Sequence, residues 1–214
     1  MTWRLHTSNR MTAQFRHDLT QEQLLQPHLD QCYAAHGIGA ERTRAWLDQS
    51  HGIDVRLAKD GYRYAVDEKA QLHYIGKCLP TFALEVDLLV NGQVSPGWLF
   101  DERKHTEVYA FVFDITLHAN ETELHRAEQV AGVQIVLVNR ERLIRRLAAE
   151  GLDRSMLSRL AKELRDTGTD RRSVHAPGVR VMLSQRLAEQ PVNLLVTRRY
   201  LESIGQVLRS TASC

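Results

Sequence analysis

Two dipeptides constrain this chain most. Asp60-Gly61 and Asn91-Gly92 each stand between apolar stretches, and both pairs favour the left-handed backbone of a two-residue hairpin turn. They predict antiparallel strands at Ile53–Ala58 and Tyr62–Leu72, and again at Thr81–Val90 and Val94–Phe100. Further apolar runs predict strands at Val108–Ile115, Val133–Val138, Val179–Leu183 and Val192–Val196. Apolar residues at helical spacing predict a helix over Leu19–Ala35, starting at Gln21 or, because of Pro27, at Gln26. Further helices are expected over Glu41–Ser50, Asn120–Val130, Arg140–Glu150, Asp153–Asp166 and Thr197–Leu208. Strands with helices before and after them make an α+β, or mixed α/β, fold.

At 214 residues the chain fits a single domain. Its organisation is expected to be a core over 20–138 and a basic extension over 139–214 packed on it. The formal net charge of +2 hides an asymmetry. From Arg140 onward there are 15 Lys and Arg against 8 Asp and Glu, while the residues before carry a net of −5. An acidic part beside a basic part suits a carboxylate metal site with a cradle for a polyanion; solvated helix faces are the plainer reading. No apolar run approaches the roughly 18–20 residues of a membrane span. Met1–Arg16 has no apolar stretch of the signal-peptide kind. The three cysteines, Cys32, Cys78 and Cys214, have no ligand spacing. They argue against a disulfide framework and for a cytoplasmic protein.

The chemistry concentrates around the first hairpin. In Val66-Asp67-Glu68-Lys69-Ala70-Gln71, alternation sends Asp67, Lys69 and Gln71 to one face of the strand. Pairing about Asp60-Gly61 brings Asp54 of the neighbouring strand near Asp67 and Lys69. Two carboxylates on adjacent strands can hold Mg²⁺, or Mn²⁺, which prefer oxygen ligands. A metal there activates water and neutralises phosphate charge, and a lysine beside it orients or deprotonates that water or stabilises the transition state. That set suits hydrolysis of a phosphodiester. The plainer alternative is a strand-end cap at Asp54 and a solvated hairpin edge, but the apolar flanks make this hairpin too buried for charges without partners.

A Gly-x-Asp strand, a short hairpin and then Asp-x-Lys resembles the signature of the PD-(D/E)XK nuclease superfamily, the restriction-endonuclease-like proteins. The likeness covers roughly Gln21–Ile115 and implies an αβββαβ core. It implies Asp54 as the central metal ligand, Asp67 as the second, Lys69 as the catalytic lysine and Gln71 on the same face. Lys104-x-Thr106-x-x-Tyr109-Ala-Phe111-Val112 looks like the family's downstream strand. Ile53, not a proline, precedes Asp54. For the acid that the first helix contributes, Glu22, Asp30, Glu41 and Asp48 compete. A rival set, Asp87 with Glu102 and Lys104, flanks the second turn.

Two basic stretches, Arg145-Arg146 and Arg154-Ser155 to Arg159 and Lys162, lie on a helix–turn–helix outline that suits either nucleic-acid contact or buttressing of the sheet. Trp46 and Trp98 read as core or strand-packing residues. The function expected is a metal-dependent endonuclease acting on nucleic acid, DNA foremost, as a monomer or a dimer. A catalytically silent nucleic-acid-binding module on the same fold, and an unrelated α+β interaction protein, stay open.

Overall fold

A computed structural model describes residues 4–173 and 177–210. In chain order the elements are α1 (Arg4–Ala35), β1 (Gly39–Arg42), α2 (Trp46–Ser50), β2 (Val55–Lys59), β3 (Tyr62–Ala70), β4 (Thr81–Val90), β5 (Gln93–Pro96), β6 (Val108–Leu117) and β7 (Val130–Asn139). They continue with α3 (Arg140–Ala149), α4 (Arg154–Thr167), β8 (Arg171–Ser173), β9 (Val179–Leu183), β10 (Val192–Thr197), α5 (Arg198–Glu202) and β11 (Gln206–Arg209). The fold is mixed α+β, as the alternating patterns require.

Two sheets form, in the orders β1-β2-β3-β6-β7-β11 and β5-β4-β10-β9-β8. Both glycine turns behave as their residues demand: Asp60 and Gly61 have φ of 51° and 82°, Asn91 and Gly92 of 52° and 79°. Strand β3 runs parallel to β6, and every other pairing is antiparallel. The crossover between β3 and β6 holds the β4–β5 hairpin rather than a helix, so the αβββαβ order is not followed. Strands after Asn139 join both sheets, so the basic third is woven into the core.

The first sheet is covered on both faces. On one, Val55, Leu57, Val66, Ala110, Val112 and Ile135 pack with Leu25, Leu29, Cys32 and Tyr33 of α1. On the other, Tyr109, Phe111, Phe113 and Val136 meet Phe82, Leu84, Val181 and Leu194 of the second sheet and Leu143, Leu147, Leu157 and Leu164 of α3 and α4. Burial on both faces explains why β6 reads as an unbroken apolar run.

Several local expectations are corrected. Helix α1 carries Pro27 inside it; the contacts of Leu25, Leu29 and Tyr33 hold it together across the missing hydrogen bond. Glu41–Ser50 is not one helix, because Gly39–Arg42 adds to the edge of β2. Asn120–Val130 forms only short 3-10 turns, and the Gln129 side chain accepts from the N–H groups of His125 and Arg126 just before the second. Thr197–Leu208 is helical only to Glu202. Gly205 then presses so closely on β7 that a Cβ there would lie 2.6 Å from the Leu137 carbonyl oxygen, and the chain pairs with β7 as β11. Helix propensities differ by only tenths of a kcal/mol per residue, too little to resist an open strand edge. Cys32 is a buried free thiol, but Cys78 is disulfide-bonded, so the cysteines no longer argue for a reducing compartment. Cys214 lies outside the described residues.

Candidate functional site

The β2–β3 hairpin positions the site. Its register sets Val55 opposite Val66, and one residue further on Asp54 stands opposite Asp67. Asp54 lies just before β2, pinned by its own N–H donating to the Val66 carbonyl at 2.9 Å. Its Oδ2 accepts from the Glu68 N–H at 2.9 Å. The Asp54 and Asp67 carboxylates are near enough for Asp54 to push the Asp67 pKa up. Lys69, two residues along the same face, places Nζ 2.7 Å from Asp67 Oδ1 and 5.3 Å from the centre of the Trp98 ring.

Asp67 is only 3% exposed. Burial raises its carboxyl from 3.8 to about 6, with Lys69 pulling it down and Asp54 pushing it up. For Lys69, burial alone would lower the ammonium's pKa. Asp67 first, then Asp54 and Glu22, outweigh that, and the net direction is up. Glu85 of β4 also feels Lys69; burial raises its pKa, while the Trp98 backbone N–H and the Lys69 charge favour its ionised form. Tyr109, beside Asp67 on β6, is raised well above a free phenol, chiefly by burial.

A turn and a loop wall the cluster. Gly52 has φ +72°, and a Cβ there would lie 2.7 Å from Thr106 Oγ1 and 3.4 Å from Asp67 Oδ2. Three hydrogen bonds join this turn to the 101–106 loop. Lys104 Nζ donates to the Ser50 carbonyl at 2.9 Å, the His105 N–H to the His51 carbonyl at 2.8 Å, and Thr106 Oγ1 to the Gly52 carbonyl at 2.7 Å. The His51 and His105 rings stack with centroids 4.3 Å apart. Thr106 and Trp98 escape sequence reasoning: nothing in their neighbours' spacing marks them as wall residues, because a loop brings them there.

Not every candidate joins the cluster. Gln71 falls beyond β3, where its amide Nε2 donates to the Thr81 carbonyl at 2.6 Å. Of the helix acids, Glu22 lines a groove with Asp54 and is close enough to act on Lys69. Asp48 is instead taken by Thr43 and Arg56, Asp30 by Arg42 and Glu41 by Arg63. The rival set is dispersed: Asp87 binds Arg165 at 2.6 Å, and Glu102 binds Arg154. Glu68, on the opposite face from Asp67, is held by Arg42 and by Tyr33 Oη at 2.8 Å.

Among the basic candidates, Arg154 reaches the loop that walls the site through Glu102. Arg145 pairs with Glu141, Arg146 with Glu150 and Lys162 with Asp166, each one helical turn away. Arg159 extends toward the Met156 sulfur at 3.0 Å. The buried leucines of α4 pack on the second sheet, so the helix buttresses the core while these charges face outward.

No family model, curated protein or solved structure matches the chain.

The donor set itself can be tested against a divalent cation. Among the described residues no three His, Cys, Asp or Glu side chains converge. Two do, and two neighbouring carboxylates repel unless a proton or a cation offsets their charge. Mg²⁺ commonly binds through one or two carboxylates, with waters and substrate oxygens completing its shell. Asp54 and Asp67 fit that requirement.

Proposed function

We propose that the chain is a metal-dependent nuclease that hydrolyses phosphodiester bonds of nucleic acid, DNA foremost, with Mg²⁺ or Mn²⁺ as cofactor and with the site of the PD-(D/E)XK superfamily. The observation that carries this is the cross-strand pair Asp54–Asp67 with Lys69 Nζ 2.7 Å from Asp67 on the same face. When bound, the metal supplies Lewis-acid neutralisation of phosphate charge and a more acidic water. Asp54 and Asp67 would hold it. With its carboxyl at about 6, Asp67 is mostly ionised at neutral pH. Lys69 keeps its proton there, since its pKa is raised. Its part is therefore to orient the attacking water and stabilise negative charge on the phosphoryl oxygens, not to accept a proton. On this reading Arg103, Lys104 and Arg154, on or against the wall loop, would exchange their present protein partners for the phosphate backbone. Among the described residues no helix is long and apolar enough to cross a membrane, and a nucleic-acid substrate fits a cytoplasmic site of action.

The test is a nicking assay on plasmid and on single-stranded DNA, with and without Mg²⁺, beside Asp54→Asn and Lys69→Ala. Metal-dependent cleavage lost in both variants supports the reading. Wild-type protein that binds no divalent metal and cuts nothing ends it. Salt-sensitive DNA binding without cleavage identifies a binding module instead.

A further inference from the structure

The groove shared by α1, α2 and β3 has a volume of about 460 Å³, within the range of roughly 300–1,000 Å³ usual for small-ligand pockets. Asp54 and Glu68 line it together with Trp46, Gln23, Gln26, Gln49 and Ser50. Trp46 contradicts its expected place in the core. It is 78% exposed at the start of α2, where water meets an indole that could have been buried. Nothing in the packing of the fold requires a tryptophan at this position.

Resting on the nuclease reading, we propose that this groove receives an unpaired nucleobase of the substrate, stacked on Trp46, beside the phosphodiester held at Asp54 and Asp67. The lining has the chemistry for it. An indole face stacks on any base, and three glutamine amides and a serine hydroxyl offer both donors and acceptors to a base edge. Among the lining residues Glu22 and Asp54 are acidic, which disfavours a free anion inside the groove, so the phosphates lie toward the basic wall loop. A base inside a duplex cannot enter, because both its faces are stacked and its pairing edge is occupied. The substrate class is therefore single-stranded nucleic acid, or a duplex with an unpaired or extruded base.

The experiment is anisotropy titration of labelled single-stranded oligothymidylate and of a duplex of equal length, with Ca²⁺ replacing Mg²⁺. Wild-type protein should bind the single strand more tightly than the duplex and show quenched tryptophan fluorescence. Trp46→Ala should lose about tenfold in single-strand affinity, as expected for one stacking platform, with little change on duplex. Trp46→Phe should keep most of the affinity and lose the quench. Since the side chain is exposed, thermal melting should be the same for all three proteins. Single-strand affinity unchanged in Trp46→Ala, or a quench undiminished in Trp46→Phe, overturns the proposal. The two readings fail separately. Trp46-dependent binding in a protein that never cuts sustains the base groove and removes the nuclease. Cleavage by a protein whose strand binding ignores Trp46 does the reverse.

Discussion

Asp54, one residue before β2, lies opposite Asp67 of β3, and its charge pushes the buried Asp67 carboxyl up. Ordinary antiparallel pairing has brought together two groups that repel when both are ionised. The strain of that arrangement is electrostatic, and a cation relieves it.

Metal titration should separate the two key side chains. Asp54→Asn swaps a charged ligand for a neutral amide and should weaken Mg²⁺ binding at least tenfold. Lys69→Ala removes a nearby positive charge and should leave binding unchanged or tighter. Calorimetry checks both. Weaker binding in Lys69→Ala would place the metal elsewhere.

The pH dependence of metal-free stability has a defined sign. Asp67 is lifted from 3.8 to about 6, so the folded protein holds this proton more tightly than the unfolded chain does. The contribution is fully present below about pH 4 and is lost as pH rises through about 6. Its size is on the order of 2–3 kcal/mol at 1.36 kcal/mol per unit. Urea unfolding across this window should show wild-type stability falling relative to Asp67→Asn. Parallel curves for the two proteins would refute it.

Gly52→Ala should destabilise by about 2 kcal/mol or more. The residue sits at φ +72°, and its new Cβ would meet the buried Thr106 hydroxyl at 2.7 Å, so left-handed strain and a clash act together. The loss should appear in thermal melting together with weaker metal binding, because the same turn borders Asp67. A melting temperature equal to wild type would show that the turn relaxes freely.

Arg42 neutralises Glu68 and Asp30 at once. Arg42→Met should cost about 3–5 kcal/mol, since Glu68 then stays buried without a countercharge. Glu68→Gln in the same background should recover part of it. Chemical denaturation of the single and double variants reads the coupling, and additive effects would remove the charge argument.

Salt dependence should distinguish the arginines. Arg154→Ala should reduce the slope of log affinity against log salt by about 1, the value for one phosphate contact. Lys162→Ala, about two turns further along α4 and away from the wall loop, should leave the slope alone. Equal slopes in all three proteins would dissociate the wall loop from nucleic acid.

Much of this was legible in the residues because it is local. The two glycine turns fix their hairpins through φ alone, and period-two alternation then puts Asp67 and Lys69 on one face. Helices α3 and α4 stand where their apolar spacing lies. What stayed hidden depends on distant partners. Gly39–Arg42 and Gln206–Arg209 become strands only because an open edge awaits them. Gln71 lies just past the end of β3 at Ala70 and spends its amide on the Thr81 carbonyl of β4. Thr106 and Trp98 reach Asp67 and Lys69 through a loop whose path no spacing records. Trp46 looked like core because tryptophan usually is.

The parallel pairing of β3 with β6 sets an order of assembly. A hairpin such as β2–β3 closes in microseconds, so Asp54 and Asp67 meet early, while the chain is still largely open. Thr106 and Tyr109 arrive only after the whole intervening segment has folded back, and such non-local closure is the slow part of folding. The acidic pair therefore needs only local closure while its enclosure needs long-range closure, so any repulsion between the two carboxylates is met before the walls that bury them arrive.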